Sequence, residues 1–391
     1  MMQRENIREF VRARAKVDNE EGGKSEEQPK VSIDDLRITE NEMQAARITP
    51  TCIVDDYLYA DVGTLAAPGG TGKTTLVLYE MINIALGRPL YGLKVYKSGI
   101  CLLITSEDRK EQCAARLREM MSAMNLTDAE RQAVLDNVLI WDVTGIQMRL
   151  VVNANGNIIP TPLADTVIAL FPEQKPAVIT FDPSVSFGAS EGMVNDNEQA
   201  IINACRRIVR ALDCCVRMVA HTGKMNARQG TLDQYSSRGG SALSDGARMV
   251  AVLQPWSPEE KGELRPPYGC TMEEGSSLTI LARPKLSYAP ANQPHIWIKR
   301  TGWLYEATTA IRQTHEERQA ALFDQICLFL KDEVKKGIRH NKTSLEAAVP
   351  NVKRKEARDA IGLLTAMRRI IEKALPTDEQ ITKRKTYLVT A

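Results

Sequence analysis

The chain has 391 residues, of which 26% are charged and 43% hydrophobic, and its formal net charge is +2. This length and apolar content predict one large domain with appendages, or two domains. Aromatic residues make up only 5%, which argues against an RNA-recognition module that stacks bases on aromatic rings. No apolar stretch approaches the roughly 20 residues of a membrane helix, and the charged N-terminus lacks the apolar core of a secretory signal. We therefore expect a cytoplasmic protein with no membrane partner.

The character of the sequence changes twice along the chain. Residues 1–45 are charged, polar and interrupted by glycine, so they predict an N-terminal arm with little to bury. Residues 46–310 alternate short apolar runs with amphipathic stretches and predict the main domain. From residue 311 to residue 391, helical patterns rich in Lys and Arg predict a second, smaller domain.

Short apolar runs separated by stretches with helical spacing dominate the main domain. The first set lies at residues 62–67, 100–105, 138–141, 177–181, 216–220 and 249–253. Strands that are apolar on both faces and alternate with helices indicate a parallel sheet in an α/β fold. A Pro-, Glu- and Gly-rich stretch at 256–275 predicts an insertion loop. Strand-like runs recur after it at 278–282, 296–299 and 303–306.

A glycine-rich segment follows the first of these runs and precedes a helical pattern. It matches the P-loop pattern G-x-x-x-x-G-K-[ST], except that Ala67 occupies the first glycine position. Glycine lets backbone N–H groups close around phosphates, while the following Lys reaches the β- and γ-phosphates and the Thr hydroxyl ligates Mg²⁺. The sequence therefore predicts an ATP and Mg²⁺ site. Its binding residues are Pro68, Gly69, Gly70, Thr71, Gly72, Lys73, Thr74 and Thr75.

Carboxylates follow two of the predicted strands, as an ATPase requires for its metal and its attacking water. Asp182 ends an apolar run, which predicts a metal-binding aspartate. Glu107 follows the strand after the P-loop helix and is the predicted residue that orients the water, with Asp108 as the alternative. Both positions are at carboxyl ends of strands, where ligands of α/β sheets collect.

His221 ends another predicted strand, where it could sense the γ-phosphate or serve a purely structural role. A polar segment with Lys224, Arg228 and Arg238 comes next. Such a segment could contact the phosphates of a nucleic acid in a central channel, or it could be a mobile surface loop. We include His221 and Arg238 among the candidate site residues.

Taken together, these motifs resemble those of RecA-like, RepA-type hexameric replicative helicases, an AAA family of plasmids and phages. The resemblance covers roughly residues 45–310 and includes the segment from Ser237 to Arg248. It implies a RecA-like P-loop ATPase core, with Glu107 as the catalytic base and His221 as the γ-phosphate sensor. It also implies that Arg248 is the finger that reaches a neighbour's nucleotide, in a ring of identical subunits, a hexamer, around single-stranded DNA.

The C-terminal part reads as three helices followed by two strands, which resembles a winged helix. Residues 311–391 contain 17 Lys and Arg against 11 Asp and Glu, so basic charge is concentrated there. Lys353, Arg354, Lys355 and Arg358 would open the recognition helix. This domain could bind DNA, dock a replication partner, or simply present a solvated basic face.

Two functions compete. The first is a ring-forming DNA helicase of plasmid or phage replication; the second is an ATP-gated DNA-binding regulator or recombinase-like ATPase that does not unwind DNA. A metabolic kinase with the same P-loop is a third interpretation, but it gives Arg238 and Arg248 no role.

Overall fold

The computed structural model describes residues 32–189, 194–257, 266, 274–290, 293–309, 315–350, 352–380 and 386–391. The chain divides into two compact units, Met1–Ile48 and Thr49–Ala391. Residues 1–31 of the predicted arm and most of the predicted insertion at 256–275 fall outside the described residues.

The described part of the first unit contains a turn of 3₁₀ helix, Asp34–Leu36, and helix α1, Glu40–Ala45. Helix α1 begins after Thr39, whose Oγ1 accepts from the Glu42 amide at 3.2 Å while Glu42 Oε2 accepts from the Thr39 amide at 2.7 Å. This reciprocal pair satisfies two amides that the first turn of a helix leaves without partners. Every described residue from 32 to 48 is exposed.

Helices of the second unit alternate with strands along most of its length. The α-helices are α2 Lys73–Leu86, α3 Lys110–Ala123, α4 Asp128–Asn137, α5 Leu163–Ala169, α6 Val194–Leu212, α7 Lys224–Gln229, α8 Ala242–Gly246, α9 His315–Lys335, α10 Lys342–Ala348 and α11 Arg354–Ala366. The strands are β1 Cys52–Val54, β2 Leu58–Tyr59, β3 Val62–Ala67, β4 Cys101–Thr105, β5 Val138–Asp142, β6 Val151–Ala154, β7 Asn157–Pro160, β8 Val178–Asp182, β9 Cys215–His221, β10 Met249–Trp256, β11 Ser276–Leu286, β12 Ile296–Thr301, β13 Leu304–Thr309, β14 Ile370–Ala374 and β15 Thr386–Thr390.

A nine-stranded sheet in the order β13-β12-β11-β10-β3-β9-β8-β4-β5 forms the centre of the second unit. The strands from β10 to β5 are all parallel, whereas β11, β12 and β13 extend the sheet in antiparallel pairs. The predicted α/β fold with a mostly parallel sheet is confirmed. The register of the parallel pairs brings the carboxyl ends of β3, β9, β8 and β4 to one edge, where a site can form.

Two apolar cores cover the two faces of this sheet. Alternate residues of one strand enter different cores: Cys215 and Val219 of β9 join one, and Val216 and Met218 join the other. Strands buried on both sides explain why the sequence shows continuous apolar runs rather than alternation. Helix α2, which follows the P-loop, packs in the first core, and α6 packs in the second.

Residues 315–391 contain α9, α10, α11 and the antiparallel pair β14–β15. Their apolar core is a cluster of its own that includes Phe323, Leu345, Ile361 and Leu388. Helix α10 begins after Asn341, whose side chain accepts from the Ser344 amide at 2.8 Å and thereby caps the first turn. Three helices followed by two strands is the order that the sequence predicts, and the winged-helix assignment stays a prediction. Residues 381–385, which precede β15, lie outside the described residues. Within the described ranges, no helix combines the length and apolar character needed to cross a membrane.

Candidate functional site

The glycine-rich segment leaves β3 at Ala67 and enters α2 at Lys73, as the P-loop pattern predicts. Gly70 has φ of 78° and Gly72 has φ of 83°, a left-handed backbone that residues with a side chain rarely adopt. A Cβ added at Gly70 would meet nothing within 4 Å, so the loop borders open space. Thr71 Oγ1 donates to Pro68 O at 2.7 Å and closes the loop on itself. Phosphate oxygens could therefore approach its backbone amides and the amino end of α2.

Lys73 lies at the centre of the site and is only 7% exposed. Its Nζ donates to Pro68 O at 3.2 Å and lies 3.2 Å from His221 Nδ1. Burial lowers the pKa of Lys73, while Asp182 and Glu107 act in the opposite direction. Its ammonium thus has a carbonyl and an imidazole as hydrogen-bond partners, and a phosphate would be a stronger one.

Asp182 ends β8 and is fully buried. Its Oδ2 accepts from Thr74 Oγ1 at 2.7 Å, and its Oδ1 has no hydrogen-bond partner. Burial raises the pKa of Asp182, and Glu107 adds to this effect, while the Thr74 hydroxyl and Lys73 oppose it.

An orphaned buried carboxylate oxygen beside a hydroxyl is the hard oxygen pair that Mg²⁺ takes in phosphate sites. Thr74 and Asp182 therefore fit the predicted metal, which when bound would neutralise charge on the phosphates. The Asp182–Pro183 peptide bond is cis.

Glu107 and His221 face one another at the same edge of the sheet. His221 Nε2 lies 3.5 Å from Glu107 Oε1, and about half of the Glu107 side chain is exposed, at 51%. Because the Lys73 ammonium can only donate, His221 Nδ1 accepts and Nε2 carries the hydrogen that faces Glu107. Glu107 is thus accessible to a water molecule, and the imidazole of His221 lies beside its carboxylate.

Asp108, the alternative to Glu107, is held in a different way. Both of its carboxylate oxygens accept from the Arg116 guanidinium of α3, at 2.6 and 3.1 Å. This two-pronged pair orients Asp108 and engages both of its carboxylate oxygens. Arg116 could not be identified from the sequence, since its eight-residue spacing from Asp108 is not a recognised motif.

The segment after β9 begins with Thr222 and includes α7. Thr222 forms an isolated antiparallel bridge with Ser237, and the Arg238 amide donates to His221 O at 2.6 Å. The Arg238 side chain is exposed. The backbone that carries Arg238 is therefore bonded directly to the residue predicted to sense the γ-phosphate.

Arg248 lies at the opposite end of the parallel strands, beside their amino ends. Its amide donates to Val62 O at 2.9 Å, and the next residue, Met249, pairs with Gly63. Because β10 and β3 are parallel, Arg248 stands beside the start of β3, and about 16 Å of strand separates it from the P-loop at the end of β3. The Arg248 side chain is exposed. The structure thus brings together Lys73, Thr74, Glu107, Asp182 and His221, but it does not bring Arg248 to them.

A cavity of about 270 Å³ adjoins the P-loop and is lined by Gly70 and Gly72 on one side and by Arg300 and Tyr305 on the other. The Arg300 guanidinium lies 5.4 Å from the Trp303 ring centre and 5.6 Å from that of Tyr305. One of its nitrogens is 3.4 Å from where a Cβ at Gly72 would stand. A second cation therefore borders the loop, and it comes from the antiparallel strands. Sequence reasoning missed Arg300, because it precedes a hairpin turn without any motif.

Comparison with known proteins gives one family match. The AAA domain family matches residues 30–227, or 198 of the 391 residues, which include the P-loop, Glu107, Asp182 and His221. The chain is similar to a solved ATPase domain, with a TM-score of 0.45 and 14% identity over 70% of this chain and 98% of that one. It is also similar to a DnaB-like replicative helicase solved in a study of its interactions with primase, with a TM-score of 0.48 and 11% identity over 78% of this chain and 73% of that one. At TM-scores below 0.5, these two likenesses carry no assignment of activity.

Proposed function

The chain belongs to the AAA domain family and is an ATPase, and from this premise we propose that it is a ring-forming DNA helicase of the RepA type, acting in plasmid or phage DNA replication. Its substrates are ATP with Mg²⁺ and single-stranded DNA. Its main partner is itself, in a homo-hexameric ring. The C-terminal residues 311–391 form the added winged-helix-like domain, which binds DNA or a replication partner.

The position of Arg248 carries the proposal. An arginine finger is needed to stabilise charge on the transferred phosphoryl group, yet the exposed Arg248 lies at the edge of the sheet opposite its own P-loop. A side chain that cannot serve its own nucleotide can serve that of a neighbour, if subunits meet head to tail. Head-to-tail contacts close into a ring when the rotation between subunits allows it.

Within one subunit, the residues that meet at the P-loop have complementary tasks. Lys73 binds the β- and γ-phosphates, Thr74 and Asp182 hold the metal, and Glu107 orients the attacking water. His221, between Lys73 and Glu107, reports the presence of the γ-phosphate to the segment that follows it. The exposed Arg238 in that segment, together with Lys224 and Arg228 on α7, supplies phosphate contacts in the channel.

Strand displacement tests this proposal. Purified protein with ATP and Mg²⁺ should unwind a forked DNA duplex, and native mass spectrometry under the same conditions should show a hexamer. Lys73→Ala protein, which we expect not to hydrolyse ATP, is the matched control for unwinding that does not depend on ATP hydrolysis. Protein that hydrolyses ATP but unwinds no forked substrate would contradict the helicase assignment.

The second candidate is an ATP-gated DNA-binding regulator or recombinase-like ATPase. The observation that favours it is the C-terminal part, which has its own apolar core and which a simple motor does not require. Electron microscopy separates the two candidates. Closed six-fold rings support the helicase, whereas open filaments or ATP-dependent dimers support the second candidate.

A further inference from the structure

Helix α8 is a five-residue helix between two exposed arginines, Arg238 and Arg248. The segment that contains it, residues 238–248, is bonded to the sheet at both ends. At one end the Arg238 amide donates to the carbonyl of His221, and at the other the Arg248 amide donates to the carbonyl of Val62. The segment therefore runs from the candidate γ-phosphate sensor on β9 to the start of the P-loop strand β3.

A buried carboxylate holds the amino end of α8. Glu198 of α6 is 7% exposed; its Oε1 accepts from the Gly240 amide at 2.8 Å and its Oε2 from the Leu243 amide at 2.9 Å. Hydrogen bonds from amides to an ionised carboxylate are stronger than those between neutral groups. A Cβ at Gly239 would stand 2.3 Å from Glu198 Oε1, so the backbone at this glycine passes directly over the carboxylate.

Two cations hold the carboxyl end of the same helix. Arg206, also on α6, donates from Nη2 to Gly246 O at 3.0 Å. Lys285 of β11 donates from Nζ to Ser244 O at 2.9 Å and to Asp245 O at 2.8 Å. A negative group at the amino end and positive groups at the carboxyl end both complement the helix dipole. A helix this short gains little stability from its own hydrogen bonds, so these external contacts fix its position.

We propose that Glu198 is a positioning residue for catalysis, which fixes residues 238–248 so that Arg248 is presented to the nucleotide of the neighbouring subunit. This inference rests on the proposed function, in which Arg248 acts in trans. Glu198 is not among the residues that meet at the P-loop. It acts through the backbone of Gly240 and Leu243, and Arg206 supports the same segment from its other end.

The test begins with Glu198→Gln. A glutamine oxygen can accept from one of the two amides, but its NH₂ group cannot accept from the other. Because small misplacements of a catalytic group are costly, we expect kcat for ATP to fall about 10- to 100-fold. KM for ATP should stay within about twofold, since the P-loop is untouched. Gln199→Ala, an exposed change at the next position of α6, is the matched control and should leave kcat unchanged.

A double-variant cycle separates positioning from a general structural role. If Glu198 acts through Arg248, the protein with both Glu198→Gln and Arg248→Ala should turn over ATP no more slowly than Arg248→Ala alone. If Glu198 only supports the fold, the two losses should multiply, which would overturn this inference and leave the proposed function standing. Wild-type kcat in Glu198→Gln would overturn it as well.

Two further outcomes are decisive. Unchanged turnover in Arg248→Ala would remove the finger role from the proposed function, and this inference would fail with it. If Glu198→Gln does not fold or does not form the wild-type oligomer by native mass spectrometry, Arg206→Met replaces it in the same cycle. Arg206 is half-buried, and its replacement by Met removes the hydrogen bond at the carboxyl end of α8. If the losses of Arg206→Met and Arg248→Ala multiply, the inference is overturned in the same way.

Discussion

The Nζ atom of Lys73 lies 3.2 Å from Nδ1 of His221, which joins the first residue of α2 to the last residue of β9. The same helix and strand meet again deeper in the protein. Glu80, seven residues after Lys73, pairs with Arg217, four residues before His221, with 2.6 Å between Oε2 and Nη1. Positions spaced by seven on a helix and by four on a strand share a face. One interface therefore holds both the phosphate-facing pair and a buried ion pair.

Removing the Lys73 ammonium should abolish ATP hydrolysis. The loss of a preorganised donor to a developing negative charge costs roughly 10²- to 10³-fold in kcat, so we expect Lys73→Ala to lose at least this much and to bind ATP more weakly. Steady-state phosphate release and titration with a fluorescent ATP analogue measure the two effects. Lys175→Ala, at an exposed position, is the control. If Lys73→Ala keeps a turnover close to that of the wild type, the hydrolysed ATP does not bind at this P-loop.

Glu107→Gln should bind ATP and fail to hydrolyse it. The amide keeps the size of the carboxylate but cannot orient and deprotonate water, a function worth about 10²- to 10⁴-fold. Asp108→Asn should retain most of the turnover, because the carboxylate of Asp108 is already paired with the Arg116 guanidinium. Single-turnover hydrolysis of radiolabelled ATP distinguishes the two variants. If Glu107→Gln keeps its turnover and Asp108→Asn loses it, the base is Asp108.

Arg248→Ala should lose ATP turnover without losing affinity for ATP, because its side chain lies far from its own P-loop. Mixing this variant with Glu107→Gln subunits should restore activity, since an Arg248→Ala subunit keeps Glu107 and its neighbour keeps Arg248. Random mixing in equal amounts gives both intact groups at about a quarter of the head-to-tail interfaces. Phosphate release measured across mixing ratios tests this. No recovery at any ratio would mean that Arg248 does not act in trans.

Removing either member of the Glu80–Arg217 ion pair alone should destabilise the protein, because the charge of the other member is then left buried. Burial opposes the charge of Arg217, but Glu80, Tyr57 and Cys215 together outweigh burial, so the pKa of the guanidinium lies above its usual value. Arg217→Met leaves the Glu80 carboxylate buried with the Tyr57 and Tyr91 hydroxyls as its remaining partners among the described residues, which should cost about 3–5 kcal/mol.

The double variant Glu80→Met with Arg217→Met should be less destabilised than the sum of the two single variants, because no charge is left buried. Urea-induced unfolding followed by circular dichroism gives the midpoints. Additive losses would show that the two side chains do not depend on each other.

DNA binding by the C-terminal part should depend on Lys353 and Lys355 rather than on Arg354 and Arg358. Both arginines pair with the nearly buried Glu346, at 3.7 and 3.1 Å, whereas neither lysine has an ion pair among the residues that the structure describes. Replacing both lysines by alanine should weaken single-stranded DNA binding. It should also reduce the dependence of the logarithm of affinity on salt, by about 1 for each phosphate that is no longer neutralised.

Fluorescence anisotropy at several salt concentrations measures this slope. Glu346→Gln is the matched charge change, and it should strengthen DNA binding because it releases the two arginines. An unchanged slope in the lysine variant would favour a protein-docking role for this part of the chain.

Features that are local in the sequence could be predicted well. The P-loop occupies consecutive residues from Ala67 to Thr75, and its glycines, its lysine and its following helix act over a few bonds. Apolar runs likewise predicted the parallel strands, because a strand buried on both faces must be apolar throughout. Asp182, Glu107 and His221 were identified because each ends or follows such a run.

Only the tertiary structure decided how these residues pair. Lys73 and His221 are 148 positions apart, and their contact depends on β3 and β9 lying side by side in register. The same holds for Glu198 beneath the amino end of α8, and for Glu346 with two of the predicted DNA-binding arginines. Each depends on which elements become neighbours and on which face they present, and no local pattern of residues encodes that. The sequence determined a P-loop ATPase with an α/β fold, whereas the packing of distant elements decided which of its charged side chains are available and which are held.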